Sequence, residues 1–182
     1  MQINFINPVI GACVNVMGTM AELEVHTGKP SLRNPVNTEI GCTVTGLICM
    51  RGATRVASIA VIFTETVLQN ISVRMLPDDS HDNQFLAFDL VGEISNMIIG
   101  GAKALLLKQG YNFDMTLPTV IRGHDYLIAH QTHAPILRIP LESEIGTFYI
   151  EASFEGPALS EEEKQNLINA KHEVETPSVE FF

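Results

Sequence analysis

Residues 89–107 read DLVGEISNMIIGGAKALLL, and their periodicity decides how this chain folds. At 100° per residue, Asp89, Glu93, Asn96, Gly100 and Lys103 fall on one helical stripe, within about 80° of arc. Leu90, Val91, Ile94, Met97, Ile98, Ile99, Ala102, Leu105 and Leu106 cover the rest of the surface. The segment therefore reads as a broadly buried helix with a single narrow wet face. On that face an acid and an amide stand one turn apart, roughly 5–6 Å between Cβ atoms. A carboxylate and a carboxamide held this way can grip a partner's cation and position a water. By itself such a stripe is no more than a solvated helix face.

Working outward, the helix is expected over 84–109, closed by Gly110, after a polar loop at 77–83 (PDDSHDN). Residues 65–75 suit a short amphipathic helix. Residues 41–63 are rich in β-branched and apolar types and break at Arg51-Gly52, which predicts a hairpin of strands over 42–50 and 54–63. Downstream, 119–128, 136–141 and 147–154 read as three more strands. At the N-terminus, Asn7-Pro8 has the form of a helix start, with Asn as N-cap and Pro at the first helical position. Val9, Ile10, Ala12, Cys13, Val16, Met17 and Met20 form the apolar face of that helix, and Asn7, Gly11, Asn15 and Gly18 a thin polar one. A short strand at 22–27 follows, ended by the turn Gly28-Lys29-Pro30. Gly156-Pro157 closes the domain. The expected organisation is one domain over 1–156 and an acidic tail over 157–182, with a short helix capped at Ser160.

The two long helices are related. Shifting residues 8–21 by 81 places Gly11 on Gly92, Asn15 on Asn96 and Ala21 on Ala102, with apolar residues matched between. A helix followed by a strand pair thus occurs twice, which predicts a pseudo-two-fold domain. The first copy has Ala12 in place of Glu93 and Pro8 in place of Asp89, so only the second carries the acid–amide pair. Asn15, lacking its acid, reads as an ordinary surface or capping residue.

Composition bounds the partners. The chain has 182 residues, 46% of them hydrophobic, enough for one proper core. A net charge of −10 disfavours nucleic acid and anionic membrane and suits a partner with a basic patch. Part of that charge is local, since eight Glu against Lys164 and Lys171 fall within 151–182. Cys13, Cys42 and Cys49 are an odd set without CxxC spacing and read as small core residues in a reducing compartment. Residues 1–21 carry no charge, but Asn4, Asn7, Pro8 and Asn15 interrupt any signal-like apolar run, and no stretch is read as a membrane span. The location expected is cytoplasmic. His124, His130 and His133 cluster near a strand end, and without a Cys or acid at ligand spacing they read as loop histidines rather than a zinc site. No phosphate loop, nucleophile elbow or basic–aromatic patch is present.

Asp89, Glu93 and Asn96, with Pro118 some twenty residues on, resemble the signature of the CheC/CheX/FliY chemotaxis phosphatases: Asp or Ser, three residues, Glu, two residues, Asn, and a later Pro. The opening FINPVIGACVNVMGTMAELEV, the GKP turn and a single intact pair make the CheX branch the nearest. The resemblance covers about residues 1–155. It implies an α/β domain of α+β type, an antiparallel sheet packed by two long pseudo-symmetric helices, paired as a homodimer. It implies hydrolysis of the aspartyl phosphate of a CheY-like response regulator, which brings its own Mg²⁺, so that this chain needs no cofactor. Under it, Asn96 orients the attacking water, Glu93 salt-bridges the regulator's active-site Lys, and Asp89, Gly92, Gly100 and Lys103 line the contact. The competing readings are a non-catalytic module that docks a regulator through the same helix, and a purely structural domain.

Overall fold

In the computed structural model, residues 3–33, 42–76, 84–157 and 160 are described. The elements run α1 (Ile3–Met20), β1 (His26–Thr27), β2 (Ser31–Leu32), β3 (Cys42–Arg51), β4 (Val56–Thr64), α2 (Glu65–Met75), α3 (Gln84–Leu107), β5 (Asp114–Met115), β6 (Thr119–His124), β7 (Leu137–Ser143) and β8 (Gly146–Glu155). The strands form one antiparallel sheet in the order β1-β7-β8-β4-β3-β5, with β2 also on β7 and β6 also on β3. Both long helices cover one face, burying Val9, Cys13, Met17, Val91, Ile94, Ile98 and Leu106 against Ile48, Ile59, Val61, Ile139, Phe148 and Ile150.

The expected two-fold is written into the sheet. Exchanging β1 to β4 with β5 to β8 and reversing the order returns the same order. The registers agree as well. A shift of 91 (Arg51 to Glu142) turns the β3–β4 pairs Arg51↔Val56 and Gly46↔Val61 into the β7–β8 pairs Glu142↔Thr147 and Leu137↔Ala152. On the edges, a shift of 88 (His26 to Asp114) turns His26↔Glu142 and Ser31↔Arg138 into Asp114↔Arg51 and Thr119↔Leu47. Each half lends its first strands to the other half's hairpin. The pseudo-axis passes between Ala60 and Glu151, which are at once equivalent under the 91 shift and paired across β4 and β8.

Several boundaries differ from the sequence reading. α1 starts at Ile3, so Pro8 lies inside the helix and Asn7 is not its cap. Pro8 cannot donate to the carbonyl four residues earlier, a cost offset by burying Phe5 and Ile6. Phe5 stacks on Phe154 at 4.7 Å and meets Phe113 edge-on at 6.2 Å. The strand expected over 22–27 shrinks to His26–Thr27, because Glu22 takes a left-handed φ of 50° straight after the helix. Strand β6 stops at His124, where Asp125 adopts φ 49° and the chain crosses the helix-free face of the sheet. There Ile128 packs on Ala60 and Ile62, with Leu47, Tyr126 and Tyr149 around them. Cys13 is buried, its thiol pushed up to about 12 by that burial, whereas Cys42 and Cys49 are only half-buried. Residues 86–107 are long and apolar enough to cross a bilayer, contrary to the sequence expectation, but half of that span is buried inside the fold. The loop expected at 77–83 and the tail helix lie outside the described residues.

Candidate active site on the second long helix

α3 is pressed onto the sheet at the level of the acid–amide pair. Ser95 is fully buried and donates through Oγ to the carbonyl of Val91 at 2.7 Å, the back-bond by which serine relieves its hydroxyl inside a helix. Opposite it on β3 stands Gly46, where an added Cβ would lie 1.9 Å from Ser95 Oγ. Only glycine permits that approach, so the backbone of α3 comes close to β3, β4 and β6, while the main neighbour of α1 is α3. Gly92 is held from the side, since a Cβ there would meet Val120 Cγ2 at 3.5 Å and Pro118 Cγ at 3.8 Å. Helix, strand and proline thus fix the segment 91–96.

The stripe lies between two walls. Taking Gly92 as origin, Asn96 lies about 40° round the helix, Asp89 about 60°, Gly100 about 80° and Glu93 about 100°. Gly101, at about 180°, faces α1, where an added Cβ would lie 3.2 Å from Ala12 Cβ. The strand end at Pro118 therefore bounds the Asn96 edge, and α1 bounds the far side beyond Glu93. Asp89 and Glu93 are exposed; Asn96, Gly100 and Lys103 are half-exposed; Gly92 is buried under Pro118 and Val120. Among the described residues, neither Glu93 nor Asn96 is engaged by a hydrogen bond or ion pair of the fold, so both heads are available to a partner.

Two neighbouring glycines of α3 have different surroundings. Gly101 makes the α1–α3 contact, not a contact with the sheet, whereas nothing lies within 4 Å of a Cβ added at Gly100. Gly100 is a flat spot on the wet face. Pro118, the later member of the motif, does come to the site through Gly92. Sequence reasoning missed Ser95 and Gly46, because the signal is a coincidence of two small residues distant in sequence and adjacent only after folding.

A second cluster of reactive side chains lies under the chain that crosses the sheet's other face. His130 Nδ1 is 3.0 Å from Ser58 Oγ, and its Nε2 is 3.3 Å from Glu151 Oε2. Arg138 donates to Glu151 Oε1 at 2.9 Å and 2.6 Å, and Arg33 lies 3.3 Å from Oε2. Serine, histidine and carboxylate have the composition of a hydrolytic triad, yet the His130 and Glu151 side chains are 1% exposed, leaving a substrate no way in. Burial alone would raise the Glu151 carboxyl; the hydrogen bonds from His130 and Arg138 and the nearby guanidinium charges outweigh it and hold it below its ordinary value. This is a structural ion cluster; His130 does stand on the loop between β6 and β7, as expected, but its ring is buried rather than solvated. Among the described residues, no group of three His, Cys, Asp or Glu could hold a metal ion.

The comparisons with known proteins converge on one family. The family described as Chemotaxis phosphatase CheX matches residues 44–142, a span that contains Gly46, the whole stripe and Pro118. The CheY-P phosphatase CheX of Thermotoga maritima is 28% identical over 141 residues, covering 78% of this chain and 88% of its own. A CheC-like superfamily protein from Shewanella sp. PV-4 is 40% identical, covers 86% of this chain and 100% of its own, and superposes with a TM-score of 0.74. The chemotaxis protein CheX of Vibrio vulnificus is 36% identical over 83% of this chain and 99% of its own, with a TM-score of 0.73. With the motif residues in place on a braced helix, this chain belongs to the CheX family of chemotaxis phosphatases.

Proposed function

We infer that this chain hydrolyses the aspartyl phosphate of a CheY-like response regulator in chemotaxis or related two-component signalling. The observation that carries this is the open pair of Glu93 and Asn96 on the pinned segment of α3, in a chain of the CheX family. An acyl phosphate is already activated, and the receiver supplies Mg²⁺ and a Lys to neutralise charge. What is left is to place a water in line with phosphorus. The Asn96 carboxamide both donates and accepts, so it holds that water without repelling the phosphoryl oxygens. Glu93, at the other side of the stripe, pairs with the receiver's Lys and sets the register. An exposed carboxylate is too weak a base to take the water's proton, so Glu93 is a docking group. Asp89 adds charge to the rim, Lys103 extends the contact, and Gly100 lets a receiver loop approach; Gly92, expected to line the contact, is instead covered by Pro118 and Val120 and acts by seating the helix. The reading includes a cytoplasmic homodimer, supported by the family resemblance.

The test is the decay of phosphate from CheY-like receivers of the same organism, with this chain and with its Asn96→Ala form. Acceleration that disappears in the variant, while binding survives, is the expected result. A receiver that binds but keeps its phosphate at the unassisted rate would leave a docking module on the same helix face.

A further inference from the structure

Between the paired ends of β5 and β6 the chain carries one residue too many. Met115 pairs with Met50, and Thr116 N donates to Cys49 O at 2.9 Å. Pairing then resumes with Thr119 opposite Leu47. Leu117 and Pro118 together face the single residue Ile48, which makes a β-bulge, the device that re-aims a side chain out of a sheet. Cys49 N returns a bond to Thr116 Oγ1 at 3.2 Å, so the bulge is tied down just before its tip. The residue before a proline is confined to extended backbone, which pins Leu117 further. The bulge sends Pro118 inward onto Gly92 and leaves Leu117 86% exposed, more than any other large apolar side chain among the described residues.

The same bulge exists in the other half. Gly28 N donates to Pro140 O at 2.9 Å, Ser31 pairs with Arg138, and Lys29-Pro30 face the single residue Ile139. Lys29 is thus the twin of Leu117. A lysine is the ordinary occupant of an exposed strand edge. The leucine stands in the half that carries Glu93 and Asn96, at the edge of the stripe nearer Asn96.

We propose that Leu117 is the apolar anchor by which this chain seats the phosphorylated receiver. The proposal rests on the phosphatase reading and supplies the second point of contact that reading lacks. Glu93 fixes one side of the stripe through a charge pair, which is loose in orientation and weakened by salt. Leu117 fixes the other side by entering an apolar patch of the receiver beside its phosphorylated aspartate. The Asn96 amide lies between the two, so its water is held against rocking about either contact. Leu117 touches no reacting atom; it is a positioning residue, and its removal acts on binding.

The experiment compares wild type, Leu117→Ala and Lys29→Ala in steady-state turnover of the phosphorylated receiver. The same proteins are titrated with the receiver loaded with beryllofluoride and Mg²⁺. Leu117→Ala is expected to raise KM and Kd about 10-fold with kcat within about twofold, the signature of a lost apolar hot spot. Lys29→Ala is expected to change none of the three. Unchanged KM and Kd in Leu117→Ala would overturn the anchor while the phosphatase stands. So would a smaller oligomer by light scattering with receiver affinity intact, which would give the leucine to self-association. Wild type that neither binds nor dephosphorylates any receiver would overturn the phosphatase reading itself. If wild type binds without turnover, the titration alone decides, since the anchor acts on Kd.

Discussion

The two halves of this molecule share a plan down to the strand register, yet only one of them carries the acid–amide pair. Gly11 and Gly92 are equivalent, but a Cβ at Gly11 would meet nothing within 4 Å, whereas Gly92 lies under Pro118 and Val120. Pro30, the twin of Pro118, is correspondingly exposed. Ser95 is buried against Gly46, while its equivalent Val14 is 37% exposed. Ala12 is buried where Glu93 is open. The lesson is that a duplicated motif needs its support duplicated too. The second half clamps its helix from the sheet and from the bulge, and the first half does neither.

Removing the amide on each side in turn gives the largest expected difference between the halves. Asn96→Ala is expected to lower receiver dephosphorylation by up to about 10³-fold, roughly 4 kcal/mol of barrier, the upper range for losing one preorganised contact in a transition state. Asn15→Ala, at the equivalent and exposed position, should leave the rate within error. Equal losses from the two would mean that both halves work, and the asymmetry argued from Gly92 and Ser95 would count for nothing.

The halves differ at the pseudo-axis itself, where Ala60 faces Glu151. Glu151→Gln leaves the Arg33 and Arg138 guanidiniums around a neutral amide and should cost about 3 kcal/mol at neutral pH, as for one partner lost from a buried ion cluster. The pH dependence has a definite sign. The Glu151 carboxyl is held below its ordinary 4.5, so its contribution is full above that value and is lost as pH falls through the lower folded one. Wild type and variant should therefore converge in acid, measured by denaturant unfolding between neutral pH and about pH 3. Parallel curves would show that the charge of Glu151 is not what holds the crossing chain down.

What the sequence made legible were the features that repeat locally. The α3 stripe, the hairpin of β3 and β4 and the bounds of α2 follow from periods of 3.6 and 2, and the 81-residue echo was enough to anticipate the two-fold. The start of α1 was hidden because Phe5 earns its place by stacking on Phe154, nearly 150 residues away. The crossing chain was hidden for a similar reason. Nothing near His130 announces that Ser58 and Glu151 will receive its ring. At the site, Glu93, Asn96 and Pro118 could be named from the motif, but the clamp at Ser95 and Gly46 and the bulge at Leu117 depend on which strand lies beside which. Register is a tertiary property, set by the hydrophobic pattern of the whole sheet.

Tightening the clamp gives a smaller effect. Gly46→Ala drives a Cβ to 1.9 Å from Ser95 Oγ and 2.8 Å from its Cβ, and the Val91 carbonyl is only 3.3 Å away. Shifting the helix should cost about 2 kcal/mol of stability, within the range for overpacking. Adding Ser95→Ala removes the worst contact and should recover part of it. The change also moves the segment that carries Asn96, so kcat should fall beyond what lost stability explains. Gly11→Ala supplies the contrast from the other half. Its Cβ enters open space on α1 and should leave kcat alone.

The smallest effect separates the two faces most finely. Gly100, like Gly11, has room for a methyl group, and glycine inside a helix is about 1 kcal/mol less favourable than alanine. On the free protein both Gly11→Ala and Gly100→Ala should therefore stabilise, by about 0.5–1 kcal/mol, read from denaturant midpoints. Packing gives no reason for glycine at either position, so any penalty must come from something absent in the isolated chain. If Gly100 is a flat spot kept for the receiver, its alanine form should bind the beryllofluoride-loaded receiver a fewfold less tightly, and the Gly11 variant should bind as wild type does. Should both variants bind alike, Gly100 would be no more than a tolerated weakness of the helix. The contact surface would then end nearer to Asn96 than the stripe suggests.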